Sequence, residues 1–307
     1  MSLGYEDYLD TFAGFPVWRW EDGVPEDPAT VAWRIDTGHG ERRIEQVLDE
    51  MLEDTRPDGP IALIIGNWGH PFKSPFPIDL LTGNADRFGA LRALFIGEIA
   101  QEECEISWIT QGDITPVLET FPGLQHLWVR GASRGLTLRP VRHENLHELV
   151  LQGGGLSADL VRALSACDLP LLEELELWLG VAQYGGDAGV GDLAPILAGR
   201  PMPTLTWLGL RNAEIADEIA AAVAAAPIVA RLRVLDLSWG TLSDTGAEAL
   251  LAGQPLTHLE HLVLNHHFMS PEVARRLVDD LPGVTVDVGG AREEEEEEWG
   301  RYTAVNE

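Results

Sequence analysis

His143, Glu144 and His147 match, letter for letter, the His-Glu-x-x-His arrangement by which zinc peptidases hold their metal. That chemistry requires both imidazoles on one helix face, one turn apart, with the glutamate placed as a base. Here Leu146, Leu149 and Leu151 form an apolar alternation that demands a strand, and four residues of extended chain span roughly 13 Å. The match reads as coincidence, with a zinc-dependent hydrolase kept as the alternative function. Gly131-Ala132-Ser133-Arg134-Gly135 fits the nucleophile elbow Gly-x-Ser-x-Gly. It follows a strand, but Leu136-Thr137-Leu138-Arg139-Pro140 cannot supply the helix that must come next, so a glycine turn is expected. His258, His261, His266 and His267 form the densest histidine cluster, and no thiolate or carboxylate completes an obvious metal site. Hydrogen-bonded or solvated imidazoles are expected there. No catalytic residue, metal or cofactor follows from these motifs.

Any functional group must be positioned by a repeat. Leu-x-x-Leu-x-Leu recurs at Leu172–Leu177, Leu205–Leu210, Leu232–Leu237 and Leu259–Leu264. Looser copies lie at Leu91–Ile96, Leu124–Val129 and Leu146–Leu151, and degenerate ones surround Leu63 and Val286. The second apolar residue of each copy falls at 63, 94, 127, 149, 175, 208, 235, 262 and 286, intervals of 22 to 33 residues. A strand, a turn, a helix and a second turn take roughly 20–29 residues in leucine-rich repeats, so the longer intervals contain insertions. Between the strands the spacing turns helical: Ser157 is placed to cap Leu160, Val161 and Leu164, and Ser270-Pro271-Glu272 combines a cap, a first-turn proline and an acid. Ala213–Ala226 and Ser243–Leu251 repeat the scheme. The predicted fold is an α/β leucine-rich-repeat solenoid of about nine repeats, with a curved parallel sheet inside and helices outside.

No unit buries its own leucines, each worth roughly 1.5–3 kcal/mol on burial, so one elongated domain is expected. Residues 1–58 lack the repeat and read as an N-terminal cap; 59–290 form the solenoid. An acidic linker, 291–298, holds Glu293–Glu298, and 299–307 are apolar enough to dock back on the body. The 307 residues carry a formal charge of −29, with 50 acidic against 21 basic side chains and Lys73 as the single lysine. Nucleic acid and anionic membrane, which both call for basic residues, are therefore excluded as partners. A protein or peptide partner of basic character is favoured. Cys104 and Cys167 are too few for a disulfide framework. With neither a leader-like start nor an apolar run of about 18 residues, a cytoplasmic location is expected.

Because side chains alternate along a strand, those between the buried leucines face the hollow of the arc. One row reads Ala62, Ala93, His126, Glu148, Glu174, Trp207, Val234, His261. The next reads Ile64, Phe95, Trp128, Val150, Glu176, Gly209, Asp236, Val263, and a third includes Arg130, Gln152, Trp178, Arg211 and Ser238. Exposed tryptophan and arginine are the residue types of binding hot spots. Phe95, Trp128, Arg130, Glu148, Glu174, Glu176, Trp178, Trp207, Arg211, Asp236, Trp239 and His261 are the candidate partner-binding residues. Glu148 and Glu174 should stand about 4.8 Å apart on adjacent strands, a like-charge pair that calls for a cation or a proton. The glycine-rich segment 180–192 and the acidic segment 98–111 should rim this face. The first lacks the Gly-Lys-Ser/Thr ending of a phosphate loop.

The strand-and-helix repeats resemble the ribonuclease-inhibitor-like class of leucine-rich-repeat proteins. Val31-Ala32-Trp33-Arg34-Ile35, Leu94-Phe95-Ile96-Gly97-Glu98, Glu105–Ile109, Leu175–Gly180, Leu235–Ser238 with Gly240-Thr241-Leu242, and Arg301–Glu307 resemble more specifically an uncharacterised bacterial leucine-rich-repeat family. The likeness covers nearly the whole chain. It implies no catalytic residues, and an accessory or scaffolding role beside radical-SAM-type enzymes. The expected function is a non-enzymatic interaction module using an acidic, tryptophan-rich concave face.

Overall fold

Leu63, Leu94, Leu127, Leu149, Leu175, Leu208, Leu235 and Leu262 stand side by side in a parallel sheet, each in register with the next. None is more than 1 % exposed. The computed structural model describes residues 8–38, 42–55, 57–132, 135–293 and 300–305. Its strands are β1 (Thr11–Phe12), β2 (Phe15–Arg19), β3 (Ala32–Ile35), β4 (Ala62–Ile65), β5 (Ala93–Ile96) and β6 (His126–Arg130). They continue as β7 (Glu148–Gln152), β8 (Glu174–Gly180), β9 (Trp207–Ala213), β10 (Val234–Asp236), β11 (His261–Val263) and β12 (Thr285–Asp287). The twelve strands lie in sequence order. β1 and β2 form an antiparallel hairpin, and each later neighbour is parallel. This is a mostly parallel, solenoid-like α/β fold.

The sheet begins earlier than the leucine pattern. Trp18 pairs with Trp33 and Trp33 with Leu63, so tryptophan holds the inward position in β2 and β3. Trp33 is fully buried. Helices α1 (Ile44–Asp54), α2 (Asp79–Thr82), α3 (Thr115–Thr120), α4 (Ala158–Ser165), α5 (Val190–Leu197), α6 (Ala216–Val223), α7 (Asp244–Ala252) and α8 (Pro271–Asp280) connect the strands. They start where the sequence marks them: the Ser157 hydroxyl accepts from the Leu160 amide at 3.2 Å and Ser270 from Val273 at 3.3 Å. Each such cap satisfies an amide the helix cannot, worth about 1 kcal/mol. Leu160, Val161 and Leu164 of α4, like Val273 and Leu277 of α8, join the leucines in one continuous core. Among the described residues no helix is long and apolar enough to cross a membrane. Cys104 and Cys167 are free thiols.

Candidate binding face

The first two predicted rows are in register as read, strand to strand across the hollow, and the third is paired at Arg130–Gln152 and Trp178–Arg211. The two chain ends, however, fold over parts of it. At one side Leu9 and Phe12 cover Ala32, Ala62, Ile64, Ala93 and Phe95. Phe12 stands 6.0 Å from the Phe95 ring and 5.4 Å from that of Trp128. The alanines leave the room this cover needs. It is latched by a buried ion pair: Glu98 takes the Arg34 guanidinium at 2.6 Å through one oxygen and the Leu9 amide at 2.7 Å through the other. The Tyr8 ring lies 4.2 Å over the same guanidinium.

At the other side residues 300–305 cross the ends of β9–β11. Val305 packs with Ile106, Trp178 and Trp239. Its amide donates to Asn212 Oδ1 at 2.9 Å, and the Asn212 amide group donates back to its carbonyl. The Ala304 amide donates to the Trp239 carbonyl at 2.8 Å, and His266 Nε2 to the Tyr302 carbonyl at 3.0 Å. Asn212, Trp239 and His266 occupy the same position in successive repeats, and all three are held at positive φ (53°, 68° and 55°). A side chain other than glycine costs on the order of 1–3 kcal/mol in such a conformation. Each of the three spends it on a contact with the tail.

Between these covers a window stays open, lined by Trp128, Glu148, Val150, Glu174, Glu176, Trp207 and Arg211. Glu174 is exposed, and Trp128, Glu148, Glu176 and Trp207 are half-buried. The Trp207 ring lies against Gly209, where a Cβ would sit 2.7 Å from two ring carbons. Glycine at this position lets the ring lie flat. His126 Nδ1 meets Glu148 at 2.7 Å. Arg211 binds Glu176 at 3.1 Å and Asp236 at 3.3 Å, with its guanidinium 4.0 Å over the Trp239 ring. One guanidinium thus faces two carboxylates. Partial burial, then the neighbouring Glu148, pushes the Glu174 carboxyl above its ordinary pKa. Burial also raises Glu176, against the pull of Arg211. Trp128 Nε1 is buried and has no hydrogen-bond partner. The hollow continues from Trp207 over Val234, His261 and Val263 toward Asp287.

The expected site residues therefore divide. Trp128, Glu148, Glu174, Glu176, Trp207 and His261 reach the open hollow, and Trp239 is half-covered by the tail. Phe95, Arg130, Trp178, Arg211 and Asp236, expected to be exposed, are buried at 0–4 %. Phe95 and Trp178 lie beneath the chain ends. Arg130 is tied to Gln152 at 2.8 Å and to the Ile99 carbonyl at 3.1 Å. Among the charged residues, Asp236 and Arg211 shape the window from below.

His143–His147 is not helical: it is irregular chain bent at Glu144 and Asn145, and β7 begins only at Glu148. His143 Nε2 meets the Phe121 carbonyl at 3.1 Å, and Nδ1 accepts the Asn145 amide at 3.3 Å. Burial lowers its pKa, which keeps the ring neutral. Glu144 is paired with Arg142 at 2.7 Å. His258, His266 and His267 each donate to a different backbone carbonyl. Among the described residues no three His, Cys, Asp or Glu side chains are grouped to hold a metal ion. Ser133 and Arg134 of the elbow-like motif, and 294–298 of the acidic run with Trp299, lie outside the described residues.

No protein-family model and no curated protein matches this chain. Among solved structures it is similar to a structural-genomics protein from Bacteroides fragilis, with 31% identity and a TM-score of 0.76. The likeness covers 84% of this chain and 72% of that one.

Proposed function

We propose that this chain, which belongs to the same family as that Bacteroides fragilis protein, is a non-enzymatic leucine-rich-repeat module that binds a basic protein or peptide segment in its hollow. The repeating leucines, each followed by a helix, support the ribonuclease-inhibitor-like class and a count of about nine leucine-bearing repeats, preceded by the tryptophan-bearing strands. The observation that carries the functional reading is the window itself. Glu148, Glu174 and Glu176 converge between Trp128 and Trp207, on the stretch of the sheet that neither chain end covers.

A lysine or arginine side chain entering there meets carboxylates whose mutual repulsion it relieves, while its stem lies on tryptophan faces. A cation favours the ionised form of Glu174 and Glu176, so binding draws their raised pKa values down and releases protons. Affinity accordingly rises with pH through the upper carboxylate range. Rim charges steer the encounter and make it salt-sensitive.

The test is affinity capture from the native lysate with mass spectrometry, using wild-type chain and the Trp207→Ala/Glu174→Gln variant at low and high salt. Partners held by the wild type, missing from the variant and lost at high salt are expected. An identical partner list for both chains would refute the assignment of the window.

A further inference from the structure

We propose that the groove holding residues 301–305 is a second recognition site, specific for extended segments of the pattern Arg–aromatic–Thr/Val–x–Val, and that the chain's own tail is its weakened resident ligand.

The tail is held as a bound peptide is held. Thr303 and Val305 are buried while Ala304 between them is exposed, so alternate side chains face the groove. Four hydrogen bonds are to its main chain: two between the Asn212 side chain and both polar groups of Val305, one from the Ala304 amide to the Trp239 carbonyl, and one from His266 to the Tyr302 carbonyl. Main-chain capture of this kind accepts any extended segment, and pockets then select side chains. Here the pockets are explicit. Arg301 reaches Asp217 at 2.8 Å and the Thr241 carbonyl at 3.0 Å. The Tyr302 ring packs edge-on between His266 at 5.6 Å and Phe268 at 5.5 Å. Val305 fills the apolar floor over Trp178.

The tail is also a flawed fit. The Thr303 hydroxyl is buried with no hydrogen-bond partner. Valine has the same shape without the orphaned hydroxyl, so a segment with Val at this place binds about tenfold more tightly. The tail joins the body through the glutamate run 293–298. A short tether gives it an effective concentration of about a millimolar, so an incoming segment must compete with it.

The site differs from the acidic window in its residues and its ligand pattern. The experiment follows the fluorescence anisotropy of a labelled Gly-Arg-Tyr-Val-Ala-Val-Asn-Glu peptide on three full-length chains: wild type, Val305→Asp to release the tail, and Val305→Asp with Asn212→Gly. Glycine suits the positive φ at 212, so that change removes the amide clamp and leaves the backbone unstrained. Thermal melts confirm that all three chains are folded. Tightest binding is expected for Val305→Asp, at least tenfold weaker binding for wild type, and at least tenfold weaker binding again once Asn212 is replaced. No saturable binding to the Val305→Asp chain overturns the proposal. So does an affinity of the Val305→Asp chain equal to that of either other chain, because the peptide would then sit elsewhere.

Discussion

Replacing Glu174 by Gln should stabilise the protein while weakening partner capture, and the size of the gain follows from the sheet. Glu148 and Glu174 are register partners on adjacent parallel strands. At a separation of about 5 Å, two unit charges repel by about 0.8 kcal/mol in a water-like medium and about 3 kcal/mol at an effective dielectric constant of 20. Glu174 is exposed, so screening brings the figure near the lower limit, about 1 kcal/mol. That corresponds to a Tm rise of about 2 °C for a chain of this size. The pH dependence fixes the sign. The folded-state pKa of Glu174 lies above its unfolded value, so the protonated carboxyl favours the fold and stability falls as pH rises through the folded pKa. Glutamine mimics the protonated acid at every pH. The advantage of Glu174→Gln should therefore be full at pH 8 and shrink toward pH 5, measured by scanning calorimetry of both chains. A variant less stable than wild type at pH 8, or a gain of the same size at pH 5, would refute the electrostatic argument.

Glu98→Ala strips the buried Arg34 of its best partner and frees the Leu9 amide, costing about 3 kcal/mol in urea unfolding and exposing the Leu9 and Phe12 amides to faster hydrogen exchange. Unchanged exchange at those amides would show that the latch is not what holds the N-terminal cover. Gly209→Ala places a methyl group where the Trp207 ring now lies, so the ring must tilt into solvent. Tryptophan emission should shift to longer wavelength and partner capture should fall, with Tm changing by less than in Glu98→Ala.

The inward leucines were legible in the sequence because one residue type repeats at one place in each unit, and nothing but a stacked sheet buries them all. The first strands were harder to read, since Trp18 and Trp33 do the work of leucine in another shape. The N-terminal cover had left a signal: Ala62, Ala93, Ile64 and Phe95 are apolar on a face assigned to solvent, and small apolar residues in a row make a seat. Window residues Glu148, Glu174, Glu176 and Trp207 could be placed from alternation alone. The burial of Arg211 could not, because it depends on carboxylates from the two neighbouring strands and on Trp239, just after one of them, closing around it. Nor does any local pattern show that Asn212, Trp239 and His266 share a backbone conformation that glycine would adopt more cheaply.

The placement of the two chain ends has a mechanical consequence. A stack of units joined to nearest neighbours flexes like a spring, and a strap laid across several coils stiffens those it spans. The N-terminal segment ties β3 through β6 and the tail ties β8 through β11. Ile106, from the segment between β5 and β6, packs with Trp178 of β8 and with Val305, and Glu103 of the same segment bonds Tyr8, so the two straps are joined past β6 and β7. The rim beside the window is therefore tied from one strap to the other, which stiffens the coils that carry Trp128 and Trp207.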